Sequence, residues 1–310
     1  QVELKQALGR VLAQDVISAL DVPQHDNSGM AGYAVRVGDF VAQTQFDVSQ
    51  RTPAGASPQA LTAGTVARIF TGAPIPPGAD SVVMQEDVQV LGDGRVFFNA
   101  LPKAGQWIRR AGEDIAAGQV VLPKGTRLDA IHVGLLASIG VAEVAVSRRL
   151  KVGVMATGSE LQRPGNPLKA GQIYNSNEYV WCGLLETLNL DVVSVGIVRD
   201  NFEATCAALE SLADCDAVIS SGGVSVGEED HVKPAIEKVG ELHSWKVAMK
   251  PGKPIAFGHI NRPQGGHSWF FGLPGNPVSS VVAFKLIVKP FLDLLQGQTM
   301  AQVDWRLRTQ

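Results

Sequence analysis

Apolar and polar residues are spaced differently in the two halves of this chain, and the change falls near residue 150. Before it the apolar runs are short: Val66 to Phe70, Ser81 to Met84, Val88 to Val90 and Val96 to Phe98. Turn residues separate them, most plainly Pro74-Ile75-Pro76-Pro77-Gly78 and Gly92-Asp93-Gly94. Short runs punctuated this way predict a small β-rich domain. Two helical patterns flank it: Val2 to Val16 reads as an amphipathic helix, and Leu128 to Ile139 as a helix stopped by Gly140.

After Leu150 strand and helix patterns alternate. Lys151 to Met155, Val192 to Val198 and Ala217 to Ile219 read as strands. Asn177 is placed as the cap of a helix carrying Val180, Trp181, Leu184, Leu185 and Leu188. Phe202 to Leu212 and His231 to Lys238 read as further helices. Lys246 to Met249 and Ile255 to Gly258 are short strands, and Trp269 to Gly272 leads into a long helix, Val278 to Leu295. Alternation of this kind predicts a largely parallel sheet covered on both faces, with ligands beyond the carboxyl ends of its strands.

Composition narrows the class. A length of 310 residues suggests about two domains. With 45% apolar and 18% charged residues the chain reads as globular, and its net charge of −3 gives no basic field for nucleic acid or anionic membrane. The apolar stretches fall short of the ~18 residues a membrane span needs. Cys182, Cys206 and Cys215 lack C-x-x-C spacing and fit reduced thiols of a cytoplasmic protein. His25, His132, His231, His243, His259 and His267 show no metal spacing and read as structural or surface residues; only His231 adjoins a candidate loop. No Gly-x-Ser-x-Gly elbow, phosphate-binding Gly-x-x-x-x-Gly-Lys motif or dinucleotide fingerprint is present.

The chemistry is carried by loops. The run Ala217 to Ile219 ends in Ser220, Ser221, Gly222, Gly223 and Ser225, and the acidic cluster Glu228-Glu229-Asp230 follows. Glycines let backbone N–H groups face an anion, serines add hydroxyl donors, and carboxylates beyond them suit a divalent cation. Thr157-Gly158-Ser159-Glu160 follows another strand and combines hydroxyl, glycine and carboxylate. Lys250 and Lys253 are displayed from a proline-stiffened turn, and Gly272-Leu273-Pro274-Gly275-Asn276-Pro277 opens the long helix with a cap and a first-turn proline. Asp26 to Ala34, Thr71-Gly72-Ala73-Pro74 and Gly112-Glu113-Asp114 are three more such segments. Each alone also suits an ordinary turn.

Taken in order, Asn27 to Ala34, Thr71 to Ala73, Gly112 to Asp114, Thr157 to Leu161, Val198-Arg199-Asp200, Ser220 to Asp230, Lys250 to Pro254 and Leu273 to Pro277 resemble the molybdopterin molybdenumtransferase family, which includes the C-terminal domain of gephyrin. The resemblance implies a multidomain α/β protein whose three-layer α/β domain with a mostly parallel sheet spans 149–295. It implies a β-rich domain at 26–104, an elongated dimerisation region from 1–25 plus 105–148, and the start of a truncated C-terminal β domain at 296–310. The implied reaction inserts molybdate into adenylylated molybdopterin with Mg²⁺ and releases AMP. Asp200, Asp230 and Glu160 then fall at metal positions, and these three with Asp114 at catalytic ones. Thr71, Thr157, Gly158, Ser220, Gly222, Gly223, Ser225, Pro274, Gly275 and Asn276 fall at substrate positions, with Lys250 and Lys253 on the molybdate side.

The family's dimer implies a homodimer with composite sites. A molybdopterin adenylyltransferase and molybdoenzyme-maturation proteins are its expected partners. The family usually has an acidic residue where this chain has Ala31, which removes one carboxylate. Two alternatives follow: a ligand-binding or scaffold homologue with impaired catalysis, and an adenylyltransferase-like enzyme built on the second half alone.

Overall fold

The computed structural model describes residues 1–41, 44–221, 231–246 and 254–299, in two compact units. Residues 15–123 and 134–142 form one; residues 1–14, 124–133 and those from 143 onward form the other. The expected C-terminal β segment at 296–310 lies mostly outside the described residues. No described helix is long and apolar enough to cross a membrane.

The first unit is β-rich, as the punctuated pattern predicts. Its six-stranded sheet runs in the order Ser81–Met84, Gly32–Val35, Thr65–Ile69, Gln45–Thr52, Val96–Phe98 and Val88–Val90. Gly32–Val35 is buried along its whole length. Tyr33 and Val35 join a core with Phe40, Phe46 and Phe98, while Ala34 joins another with Leu61, Ile69 and Val82.

The second unit carries the α/β sheet. Its strands are β1 (Lys151–Thr157), β2 (Asp191–Val198), β3 (Ala217–Ser221), β4 (Gly240–Lys246), β5 (Pro254–Asn261) and β6 (His267–Leu273), in the spatial order β2-β1-β3-β6-β5-β4. The helices are α1 (Asn177–Thr187), α2 (Phe202–Ser211), α3 (Val232–Val239), α4 (Pro277–Ala283) and α5 (Lys289–Leu295). One core packs Trp181, Leu185, Phe284 and Val288 with Val152, Val154 and Phe271. A second packs Leu209, Ala235 and Ile236 with Met155, Val218 and Phe270. Val152 through Thr157 are all buried, which explains why this strand reads as an unbroken apolar run.

The sheet is mostly parallel, as expected: β2, β1, β3 and β6 pair in parallel, and only β6-β5 and β5-β4 are antiparallel. The connection 262–266 between β5 and β6 closes with the Arg262 N–H donating to the Gly266 carbonyl, far too short for a parallel crossover. Val2 to Val16 is not a helix. Gly9 takes φ +75°, its N–H donates to the Leu128 carbonyl, and the Leu12 and Ala13 N–H groups donate to Thr126 and Ala145. Arg127 adds a bond to the Gly9 carbonyl, so tertiary pairing overrides local periodicity.

The strand placed at Lys246 to Met249 begins instead at Gly240; residues 247–249 lie outside the described residues. The long helix from Val278 is broken by a π-helical turn, Phe284–Val288. Pro290 lies just beyond and has no N–H to donate, which accounts for the break. The helix Ala130–Ser138 and the boundaries of α2 and α3 agree with the sequence reading to within about two residues. All three cysteines are free; Cys206 and Cys215 are buried, and burial pushes each thiol above its usual pKa.

One buried carboxylate ties the amino ends of three adjacent strands. Asp216 accepts from the Lys151 N–H at 2.9 Å, donates its own N–H to the Lys151 carbonyl at 2.7 Å, and offers its carbonyl to the Trp269 N–H at 3.1 Å. Arg148 grips both carboxylate oxygens, at 2.7 and 2.5 Å, and Arg262 approaches from the other side. Burial, the largest influence, opposes the charged form; the hydrogen bonds from Arg148 and Lys151 and the two arginine charges outweigh it, so the pKa lies below the ordinary 3.8. A depressed carboxylate pKa contributes stability above the unfolded value, and that stability is lost as pH falls through the folded one. We predict that Asp216→Ala costs about 2–3 kcal/mol at neutral pH, and that its deficit relative to wild type shrinks below about pH 4. Urea unfolding across pH checks both.

Candidate functional site

The parallel register brings four strand ends to one edge. Thr157 pairs with Val198, Ala156 with Ser221, and Ser221 with Leu273. The loops leaving these strands therefore start side by side at the carboxyl end of the sheet. Between them lies a cavity of about 320 Å³, lined on one side by Thr157, Glu160, Ser221, Gly275 and Asn276 and on the other by Ile173 to Asn177. The second wall is held by a short parallel pairing of Leu161–Gln162 with Ile173–Tyr174.

Local chemistry fixes each wall. Asn276 caps α4: its Oδ1 accepts the Ser279 N–H at 3.1 Å, with Pro277 at the first helical position. Pro277 has no N–H and Ser279 is satisfied by the cap, so Val278 holds the N–H left over in this first turn. That is a narrower anion donor than the sequence implies. Asn177 is not a cap but the first residue of α1. It is buried, and its Nδ2 donates to the Gly275 carbonyl at 2.8 Å, fastening helix to loop. The Thr157 hydroxyl donates to the Ser221 carbonyl at 3.2 Å, tying two strand ends together. Gly158 takes φ +148°, and a Cβ there would lie 2.5 Å from Glu160 Oε2, so the Glu160 carboxylate folds back over this turn.

Thr157, Glu160, Gly275 and Asn276 thus meet around one cavity, with Gly158 and Pro274 in the same two loops. Ser220 is fully buried and its hydroxyl finds no partner among the described residues; its neighbour Ser221 lines the cavity. Asp200 is exposed, two residues past Val198 at the same sheet edge. Thr71 and Asp114 belong to the β-rich unit. Thr71 is exposed in a turn, and Asp114 is half-exposed and paired with Arg109 at 2.5 Å. Ala31 offers no side-chain donor; its carbonyl accepts the Gln85 N–H. Gly222, Gly223, Ser225, Asp230, Lys250 and Lys253 lie outside the described residues.

Sequence spacing missed two features. Asn177 shows no signal beyond its place at a helix start, because its partner lies 98 positions away. Three of the histidines, which read as unrelated, are brought together where β4, β5 and β6 pair antiparallel. His243 Nε2 lies 2.9 Å from His259 Nδ1, His243 Nδ1 lies 3.5 Å from Glu241 Oε1, and the His267 ring packs 4.0 Å from that of His259. Burial, then the neighbouring His267 and His243 charges, lower the His259 pKa below 6.5 despite Glu241 and an Asn261 hydrogen bond.

Comparison with known proteins places the chain in a family. Residues 1–140 match the family model for the MoeA N-terminal region (domains I and II), and residues 153–294 match that for a probable molybdopterin-binding domain. A molybdopterin molybdenumtransferase of Haemophilus influenzae is 47% identical over 95% of this chain and 72% of its own length. Gephyrin of Dictyostelium discoideum is 34% identical over 96% of this chain and 47% of its own. A crystal structure of a molybdopterin biosynthesis MoeA protein from Pyrococcus horikoshii superposes with a TM-score of 0.78 at 35% identity, covering 96% of this chain and 75% of that one. Nearly all of the chain is thereby accounted for, and it belongs to the molybdopterin molybdenumtransferase family.

Proposed function

We propose that this chain acts in molybdenum cofactor biosynthesis by inserting molybdate into adenylylated molybdopterin, with release of AMP. The observation that carries the proposal is the convergence of Thr157, Glu160, Ser221, Gly275 and Asn276 on one cavity at the carboxyl edge of the α/β sheet. An anhydride-linked pterin nucleotide needs backbone donors for its phosphates, and the Val278 N–H and the turn at Gly158 stand at that edge. The walls are pre-set by Asn177 and the Asn276 cap, which limits the reorganisation that binding requires.

The acidic donors fit Mg²⁺. Glu160 and Asp200 present exposed carboxylates at this edge, and a hard cation takes oxygen ligands. With Asp230 they form the metal set of this reading. Bound there, Mg²⁺ supplies neutralisation of charge on the phosphoanhydride oxygens. Asp114, with its Arg109 partner, is the fourth carboxylate of the proposed machinery, and Lys250 and Lys253 are its molybdate-side cations. A homodimer with composite sites belongs to the same proposal. The match of residues 1–140 supports this reading over an adenylyltransferase-like one.

Ala31 favours a second reading, in which the chain binds the pterin nucleotide but turns it over slowly, as a scaffold homologue would. AMP release from adenylylated molybdopterin in the presence of molybdate and Mg²⁺ separates the two. Release by wild type, raised about a hundredfold by Ala31→Asp, is the expected result, since a positioned acid or base contributes roughly that factor or more. Tight binding with no AMP from either protein replaces the enzyme reading with the scaffold one.

A further inference from the structure

We propose that Glu241, His243 and His259 form a binding site for a divalent transition-metal ion of the zinc type. The three residues each offer one ligand atom, and these atoms lie within 4.8 Å of one another. His243 Nε2 and His259 Nδ1 are 2.9 Å apart; two nitrogens on one tetrahedral zinc stand about 3.3 Å apart, so a side-chain shift of a few tenths of an ångström admits the ion. Two imidazoles and one carboxylate suit Zn²⁺ and its first-row neighbours rather than Mg²⁺, which takes oxygen ligands.

The backbone builds this cluster. Glu241 in β4 stands opposite His259 in β5, and the register shifts between Leu242 and Ser244, so His243 is the extra residue of a bulge that re-aims its side chain. The two strands are pressed together around the pair. A Cβ at Gly240 would lie 1.8 Å from the His259 carbonyl oxygen, and one at Gly258 would lie 2.3 Å from that of Glu241. A side-chain hydrogen bond with Asn261 steadies His259, which is only 8% exposed, while Glu241 and His243 are open to solvent and give the ion a way in. Phe257 and Trp269, stacked at 5.6 Å, form an apolar floor beside both rings.

This site is separate from the proposed molybdate chemistry. His259 pairs with Trp269, and Trp269 with Ala217, which places the cluster level with the amino ends of the parallel strands. The carboxyl-end cavity begins four residues further along β6, on the order of 13 Å away. An ion here would clasp the edge strand β4 to its neighbour and hold the hairpin's register.

The test is calorimetric titration of the chelator-treated full chain with ZnCl₂, in millimolar Mg²⁺ to occupy oxygen-donor sites. One equivalent of Zn²⁺ is expected to bind, and His243→Ala and Glu241→Gln should each weaken it by at least about tenfold, since even residues behind the ligands typically matter that much. Co²⁺ in place of Zn²⁺ should give the intense visible bands of a four-coordinate ion, lost in His243→Ala. Absence of saturable binding at micromolar Zn²⁺ overturns the proposal. So do affinity and spectrum unchanged in His243→Ala. Both substituted positions are exposed, circular dichroism confirms folding, and Glu241→Gln decides alone should His243→Ala misfold.

Discussion

The Asp216 carboxylate sets the register on which the α/β unit depends. Its side chain and backbone together bind the first residue of β1 and the amino end of β6, while Asp216 itself precedes β3. Three neighbouring strands are thereby aligned at their starts. Strands of similar rise aligned at one end remain aligned at the other. The candidate site is the far consequence of that alignment: Ala156, Ser221 and Leu273 lie side by side because Val152, Ala217 and Trp269 do so four residues earlier. Desolvating a carboxylate is costly unless it is paired and fully hydrogen-bonded, and Arg148, Arg262 and the Lys151 N–H meet that requirement here.

A second polar centre holds the surrounding chain to this sheet. Arg127 donates to the carbonyls of Gly9 and Leu188 and to the side chains of Asp293, Gln296 and Gln298. It joins the amino-terminal segment, the end of α1 and the end of α5 through a single guanidinium, whose fixed fork of donors suits several acceptors at once. Asp293 is also gripped by Lys289, so the last helix is held from two sides. Both centres leave the carboxyl edge of the sheet open for ligand.

The sequence was most readable where one local rule ruled alone. Buried parallel strands such as Lys151–Thr157 appear as apolar runs, and Asn276-Pro277 announces a capped helix start because both residues act within one turn. It was least readable where distant pairing decides. The segment Val2 to Val16 keeps helical spacing, yet Gly9 and the carbonyls of Leu128, Thr126 and Ala145 hold it out of a continuous helix. The β4–β5 hairpin extends beyond its apolar residues, because polar positions such as Glu241, His243 and His259 continue its strands. Its histidine cluster exists only through a bulge and a cross-strand register. In the candidate site, Thr157, Glu160, Gly275 and Asn276 were legible from loop chemistry, whereas Asn177 and Ser221 gain their roles from neighbours far along the chain.

The β-rich unit supplies a different kind of information. Its fold follows from turn chemistry, and it carries the segment Asn27 to Ala34, in which Ala31 offers no carboxylate. Under the proposed function, ligand capture and turnover fall to different parts of the sequence, with capture at the sheet edge. The most direct measurement of that claim is amide hydrogen exchange across the chain with and without adenylylated molybdopterin. Binding at the carboxyl edge predicts slowed exchange in 157–162, 173–177 and 275–279. Protection confined to other segments, such as 23–27 and 72–74, would contradict it.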